Sequence, residues 1–147
     1  MRLSSRGRFA VTAMVDLGLR WGEGPVSVSA ISERQLIPLP FLVQLLHRLR
    51  KAALVESVRG AKGGFQLARS PAEVSVAAVL LAVEEPLDAT GCQGEANCLG
   101  DGCCCLTHSL WNLFNIRMME FLESVTLQHL VEDHHARTAS AELIPVP

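Results

Sequence analysis

Long apolar runs are missing from this chain of 147 residues. No run reaches the roughly 18 residues that a membrane helix needs, so we expect no membrane partner. The first fifteen residues hold three arginines and no acid, as transit peptides do, but they continue without a break into an amphipathic helix. We therefore expect one compact domain, or a small domain with an attached arm, rather than a targeting segment.

Cysteine is absent outside one short stretch, because all five cysteines lie between Cys92 and Cys105. Their number is odd, they are clustered, and we expect no signal peptide. A disulfide framework is therefore not expected, and a reducing, cytoplasmic compartment is. No acid/base constellation accompanies the thiols, and the neighbouring Glu95 and Asp101 disfavour a thiolate. A cysteine enzyme is a weak hypothesis, and we expect no enzymatic activity.

Basic residues are scarce in the second half of the chain. Residues 72–147 carry two Arg/Lys against eleven acids, a net charge of −9, whereas residues 1–71 carry eleven Arg/Lys against four acids, a net charge of +7. This asymmetry indicates that only the first half meets a polyanion.

Apolar residues at helical spacing predict three helices in the basic half. The first is capped by Ser4 or Ser5 and buries a face that extends as far as Trp21. The second spans residues 28–34. The third spans residues 40–52, with an apolar stripe of leucines and a polar, basic opposite face. Two helices joined by a tight turn, the second with a basic outer face, predict a helix-turn-helix.

A glycine-rich turn with two cations lies between two short apolar segments at residues 54–67. This pattern predicts a β-hairpin with a basic tip, and a hairpin after a helix-turn-helix is typical of a winged helix. The rival interpretation of Gly60 to Gly64 is a phosphate-binding loop. It is rejected because Gly-Lys-Ser/Thr is missing and no helix follows directly.

The DNA hypothesis assigns the polar residues of this half by their chemistry. Gln44 suits adenine, Arg48 suits guanine, and His47 also reaches the major groove. Arg59 at the wing tip suits a narrow minor groove. Phosphate contacts are expected from Arg6, Arg8, Arg50, Lys51 and Lys62. The alternative is an ordinary solvated helix face, which the basic hairpin and the charge asymmetry make weaker.

A second, longer helix pattern follows the cysteines. It runs from Leu106 or Thr107 to Val125, and its broad apolar stripe has little core of its own to cover, so we expect a homodimer.

A helix over residues 75–85 precedes the cysteines, and Pro86 ends it. We therefore expect a mainly α-helical protein divided into a winged helix-turn-helix domain at 1–85, a metal-binding loop at 86–108, a dimerisation helix with a short following helix at 106–132, and a disordered tail at 133–147.

Soft thiolates on a short loop are the ligands that zinc and iron–sulfur clusters prefer. Five residues separate Cys92 from Cys98, and four to six separate Cys98 from Cys103, Cys104 or Cys105. These gaps are wider than the paired spacing of most zinc sites, which favours a pocket around a multi-atom cluster and leaves structural zinc as the alternative. His108 lies three residues after Cys105 at a helix start, so it is a candidate fourth ligand.

Several motifs together resemble the IscR-type iron–sulfur cluster regulators, winged-helix transcription factors of bacteria. They are Met1–Val11, Ile31–Gln35, Leu49–Lys51, Val58–Gly60, Cys92–Gly94 and Cys105–His108, within a likeness that covers residues 1–132. The resemblance implies a homodimer with a [2Fe–2S] cluster on Cys92, Cys98, Cys105 and His108, supplied by the iron–sulfur donor machinery. It also implies repression of iron–sulfur cluster assembly genes, with cluster occupancy altering which DNA sites are bound.

Two positions depart from the family pattern. The family has five residues between its second and third cysteine ligands, which Cys104 would restore, whereas Cys98 and Cys105 are separated by six. We favour Cys105, because Cys-Leu-Thr-His keeps the helix geometry and a loop absorbs an extra residue easily. The additional thiol leaves a [4Fe–4S] centre open. The other departure is Val43, where relatives can carry Glu. Valine has no carboxylate that could accept a hydrogen bond from cytosine or repel an unfavourable DNA site. This position therefore bears on whether cluster occupancy changes which DNA sites are bound.

Overall fold

The computed structural model describes residues 2–90 and 105–142, and these residues are mainly helical. The elements in chain order are α1 (Ser5–Leu19), α2 (Val28–Gln35), α3 (Leu39–Lys51), β1 (Val55–Val58), β2 (Gly64–Leu67), a 3-10 turn (Pro71–Glu73), α4 (Val76–Ala82), α5 (His108–Ser124) and α6 (Leu127–Glu142). The predicted fold class, mostly α with a small hairpin and a long helix after the cysteines, is confirmed. Among the described residues, no helix is both long and apolar enough to cross a membrane.

Side chains of serine fix where three of the helices begin. The hydroxyl of Ser4 accepts from the N–H of Gly7, that of Ser27 from Ala30, and that of Ser75 from Ala78. Each bond satisfies a backbone donor that has no partner inside the helix, which stabilises the helix by about 1 kcal/mol. Helix α3 instead begins at Leu39, directly after Pro38, and carries Pro40 in its first turn, where a missing N–H costs little.

One hydrophobic core joins the first helices, the hairpin and the start of α6. It includes the fully buried side chains of Met14, Ile31, Leu46, Val79 and Leu127. The predicted buried face of α1 is confirmed except for Trp21, which is 49% exposed. Helix α1 ends at Leu19, so helical spacing no longer directs the indole toward the core.

Helix α6 is longer than the sequence predicted. It continues to Glu142, so residues 133–142, which the sequence assigned to a disordered tail, are helical. Bonds within the helix support this part: Arg137 pairs with Asp133 at 2.9 Å, and the hydroxyl of Thr138 donates to the carbonyl of His134. A polar, exposed helix lacks the apolar spacing on which the prediction depended.

The junction between α5 and α6 is attached to the front of α4. The N–H of Val76 donates to Val125 at 2.8 Å, and the N–H of Leu127 donates to Val74 at 2.9 Å. Val131 of α6 packs against α1, where a Cβ at Gly18 would lie 3.1 Å from its methyl carbon. Helices α5 and α6 are therefore joined to the same core as the helix-turn-helix.

The wing is an antiparallel hairpin with Val55 opposite Leu67 and Val58 opposite Gly64. Val55 and Leu67 are buried and attach the hairpin to the core. Val26 extends the hairpin by an isolated bridge to Phe65, with two backbone hydrogen bonds of 2.8 Å. The wing therefore has a fixed base, and its exposed tip projects from the domain.

Gly64→Ala is expected to destabilise the wing. A Cβ at this position would lie 2.1 Å from the carbonyl oxygen of Val26, and the backbone φ is +155°. We expect the free energy of unfolding, measured by urea denaturation, to fall by about 2–4 kcal/mol. Gly60→Ala is the matched control, because φ is +116° there but the surrounding space is open. It should cost only about 1–2 kcal/mol of backbone strain, and equal losses would contradict the steric account.

Candidate functional site

A buried carboxylate holds the first helix of the helix-turn-helix against α1. Asp16 is 1% exposed. It accepts two hydrogen bonds from Arg34, at 2.8 and 3.1 Å, and one from Gln35 at 2.8 Å. Arg20 lies 3.4 Å away. Burial by itself raises the pKa of Asp16, but the bonds from Arg34 and Gln35 and the two positive charges outweigh it and lower the pKa below its usual value.

The connection between α2 and α3 is short and tightly closed. Leu36 adopts the left-handed conformation with φ of 54°, and the hydroxyl of Ser32 donates to the carbonyl of Ile37 at 2.6 Å. Ile37 is buried in the core. This turn fixes the angle at which α3 leaves α2, as the helix-turn-helix prediction requires.

Helix α3 buries Leu42, Leu45, Leu46 and Leu49 and presents a mainly polar face on its other side. The leucine stripe is at most 1% exposed, whereas Val43, Gln44, His47, Arg50 and Lys51 are exposed. One Arg50 nitrogen lies 3.4 Å from His47 Nδ1, and another donates to the hydroxyl of Ser57 on β1 at 3.4 Å. The exposed face of α3 therefore adjoins the wing, whose tip carries the exposed cations Arg59 and Lys62.

Arg48, one of the predicted DNA-reading residues, forms an ion pair within the chain. Its guanidinium pairs with the Glu84 carboxylate at 2.9 Å and reaches the carbonyl of Val83 at 3.4 Å. Glu84 follows α4 and has a positive φ of 56°. Arg48 thus connects α3 to the end of α4, a role that the sequence did not reveal.

A second carboxylate beside Glu84 caps the start of α1. Glu85 is 4% exposed and accepts from both the N–H and the hydroxyl of Ser4. Burial raises the pKa of Glu85, but the Ser4 bonds and the charge of Arg6 lower it below its ordinary value. A Cβ at Gly7 would lie 2.9 Å from this carboxylate, so glycine permits the close approach.

Arg6, which the sequence assigned to phosphate, is half-buried and donates to the carbonyl of Glu84 at 2.7 Å. Arg8 is exposed, as the phosphate prediction requires. We call Glu84 and Glu85 the acidic corner. It connects α1 and α3 to the chain immediately before the cysteines. The sequence analysis did not predict the acidic corner, although two adjacent acids directly after an apolar helix could have indicated it.

We call residues 86–107, which contain the five cysteines, the cysteine segment. Residues near its start are attached to α5. The amide side chain of Asn115 accepts from the N–H of Ala89 at 2.8 Å and donates to Asp88 at 2.6 Å. Asp88 also accepts from the N–H and the hydroxyl of Thr90. The Thr90 bonds, and then the Asn115 bond, lower the pKa of Asp88 below its usual value despite the opposing desolvation.

The predicted metal ligands fall into two groups. Cys92, Cys98, Cys103 and Cys104 lie outside the described residues. Cys105 and His108 are described, and both are half-buried at the start of α5. The carbonyl of Cys105 accepts from the N–H of His108 at 3.1 Å, so the two residues form one turn. No group of three or more metal-binding side chains occurs within residues 2–90 and 105–142.

Helix α5 has no fully buried residue. Its exposed apolar side chains are Leu110, Trp111, Leu113, Phe114, Ile116 and Phe121. The later part of α5 also borders an apolar groove of about 870 Å³ whose walls include Phe9 of α1, Leu80 of α4 and Leu130 of α6. Helix α5 and the groove beside it therefore form a large apolar surface on one side of the domain.

A helix-turn-helix with an exposed basic face and a basic wing defines a DNA-binding transcriptional regulator of the winged-helix class. Residues 3–133 match the Rrf2 family, described as an iron-dependent transcriptional regulator, and the chain belongs to this family. It is 53% identical over 133 residues to the HTH-type transcriptional regulator IscR of Sodalis glossinidius, a match that covers 90% of this chain and 80% of the relative.

Solved structures give the same class. T. potens IscR superposes with a TM-score of 0.75 at 35% identity, covering 100% of this chain and 94% of the other. CymR, the global cysteine regulator of B. subtilis, superposes with a TM-score of 0.76 at 30% identity, covering 90% and 97%. Because these relatives are regulators, the chain is a transcriptional regulator and not an enzyme.

Proposed function

We propose that this protein is a homodimeric, cytoplasmic regulator that reads double-stranded DNA with α3 and the wing and senses iron–sulfur cluster supply through a cluster bound beside α5. In this role it represses iron–sulfur cluster assembly genes and receives its cluster from the iron–sulfur donor machinery. The observation that carries the proposal is the exposed polar face of α3 beside a basic wing, in a domain whose acidic corner leads directly into the cysteine segment.

The DNA contacts follow from exposure and chemistry. Gln44 and His47 are exposed in the middle of α3 and are the base-reading candidates, with Gln44 suited to adenine. Arg50, Lys51, Lys62 and Arg8 supply phosphate contacts, and Arg59 suits a narrow minor groove. Arg48 and Arg6 remain predicted DNA contacts, and both also bond to Glu84, which connects them to the chain before the cysteines.

Arg50→Ala and Arg59→Ala are each expected to weaken DNA binding and to reduce the salt slope by about one counterion, because each removes one phosphate or groove contact. Arg59→Ala should also relax preference at AT-rich positions. Fluorescence anisotropy with labelled duplexes over a range of salt concentrations measures both effects. Arg137→Ala is the matched control: it removes the same charge from the exposed end of α6. Wild-type affinity and slope in both test variants would contradict the assignment.

The described residues fit a cluster site with Cys105 and His108 as two ligands. A thiolate and an imidazole presented from one turn suit iron–sulfur ligation. Asn115 lies seven residues after His108 on the same face of α5, about 10 Å along the axis. Ala89 is bonded to Asn115, and the three residues from there to Cys92 span up to about 10 Å. The length of chain from Ala89 to Cys92 is therefore compatible with Cys92 and His108 as ligands of one cluster.

The proposed cluster segment is connected to the DNA-reading surface through the acidic corner. When bound, a cluster supplies a centre whose presence depends on iron and sulfide. Its ligand segment begins directly after the acidic corner, which bonds to Ser4, Arg6 and Arg48. The same segment ends at α5, where the partner subunit would pack. A change in the segment would thereby alter the spacing of two recognition helices in a dimer.

Three groups could occupy the proposed metal site, and they differ in the ligands they would use. Cys92, Cys98, Cys105 and His108 would hold a [2Fe–2S] cluster, an additional thiol such as Cys104 would permit [4Fe–4S], and zinc alone would make the segment a structural support without sensing. Iron, sulfide and zinc analysis separates the three. The apolar stripe of α5 supports the homodimer, because a surface of this size is usually covered by a second copy.

A further inference from the structure

An apolar spot lies at the beginning of the exposed face of α3. Leu39 is 43% exposed and Val43 is 49% exposed. The two residues are four positions apart, so they lie about one helical turn from each other on the same face of α3. Single exposed apolar residues are common on protein surfaces. These two are notable because they precede Gln44 and His47, the candidate base readers, and because the rest of this face is polar or basic.

The spot is separate from the apolar surface that α5 contributes. The groove beside α5 is lined by residues of α1, α4, α5 and α6 and by the chain next to them, and by none from α3. Val43 lines a different groove together with Gln44, His47, Lys51 and Glu84. Val43 therefore lies outside the apolar groove beside α5, and the cations around it favour a polyanionic occupant.

We propose that Val43, with Leu39 behind it, reads the methyl group of a thymine in the major groove next to the adenine that Gln44 reads. This inference rests on the proposed DNA-reading role of α3. The C5 methyl of thymine is the apolar feature of base edges in the major groove. Valine is stiff at χ1, so its two methyl groups are held in one orientation and form a defined apolar contact.

Cytosine is disfavoured at the same position. Its N4 amino group needs an acceptor, which a Glu or Asp would provide. Helix α3 contains no acid between Leu39 and Lys51. Glu84, the nearby carboxylate that lines this groove, is paired with Arg48. A cytosine facing Val43 would offer a C5 hydrogen in place of the methyl group and no acceptor for its amino group, so it would gain less from this contact than thymine.

The test uses the whole chain described here by its sequence, residues 1–147, reconstituted anaerobically. Duplexes bound from a random pool define a consensus, and each thymine is then replaced singly by deoxyuracil, which removes the methyl and keeps every hydrogen-bonding group. At one thymine per half-site, we expect wild-type affinity to fall roughly fourfold, the effect of losing one buried methyl. Val43→Ala should bind thymine and uracil duplexes nearly equally. 5-Methylcytosine should restore part of the affinity lost with cytosine at that position.

Leu81→Ala is the control, because Leu81 is an exposed leucine on α4, outside the reading helix, and it should keep the uracil penalty. Thermal melting of each variant shows that it is folded. A consensus in which uracil is harmless at every thymine would overturn the proposal, and so would a penalty of the same size in Val43→Ala. Failure of the wild-type protein to retain any duplex would instead overturn the proposed DNA-reading role itself.

Discussion

Cys105→Ala is expected to abolish cluster binding, whereas Cys104→Ala should retain it. Cys105 lies in the turn that begins α5, with its carbonyl bonded to the N–H of His108 at 3.1 Å. A ligand pair built into a helix start is preorganised, so removal of one member leaves three ligands that cannot close a four-ligand site. We expect iron and sulfide per chain, and visible absorption after anaerobic reconstitution, to fall to background in Cys105→Ala.

Cys104→Ala and Cys103→Ala are the matched controls, since each removes one thiol from the same run of three. The opposite result, cluster loss in Cys104→Ala and retention in Cys105→Ala, would show that the loop and not the helix start sets the ligand spacing. Loss in both variants would favour a centre with more thiolates. One zinc per chain without sulfide in the wild-type protein would favour a structural zinc site.

Asp16→Ala is expected to destabilise the protein strongly, because it removes a buried acceptor shared by two side chains. It would leave the guanidinium of Arg34 and the amide of Gln35 without the buried acceptor that both now share. Breaking a buried pair costs about 3–5 kcal/mol, and since the Arg34 side chain is 35% exposed, we expect about 2–3 kcal/mol. Urea denaturation at neutral pH measures this loss.

Asp16→Asn separates charge from shape, because asparagine keeps the volume and one acceptor. The lowered pKa of Asp16 gives the sign of the pH dependence. Its stabilisation is present above the unfolded pKa of about 3.9 and is lost as the pH falls through the lower folded value. The stability difference between wild type and Asp16→Asn should therefore shrink in acid. Asp133→Ala, at an exposed pair on α6, should change stability by less than about 0.5 kcal/mol.

Asp16 also links stability to function. It joins α1 to the end of α2, and the turn after α2 fixes the direction of α3. A variant that folds with α2 displaced would present Gln44 and His47 at the wrong angle to a major groove. We therefore expect Asp16→Asn to lose DNA affinity in proportion to its loss of stability. Val43 lies on the surface, so Val43→Ala should change DNA affinity without a matching loss of stability.

The acidic corner shows what lay beyond sequence reasoning. The bonds from Arg6 and Arg48 to Glu84, and from Ser4 to Glu85, join residues that are 36 to 81 positions apart. Both arginines were assigned to DNA by their chemistry, and the sequence could not reveal their bonds to Glu84, because an arginine with a distant partner looks the same in sequence as one without. The exposed polar face of α3 was predictable from the sequence, but the residues that bond to Arg6 and Arg48 were not.

Local interactions explain what the sequence determined by itself: the serine caps, the leucine stripe of α3, the hairpin, the long α5 and the cysteine segment before it. These features depend on side chains within a few residues of each other, so spacing reveals them. Only the tertiary structure decided the burial of Asp16, the partners of Arg6 and Arg48, the exposure of Trp21 and the attachment of residues 88–90 to α5. Those outcomes depend on which distant segments meet in space, and that is set by the packing of the whole core.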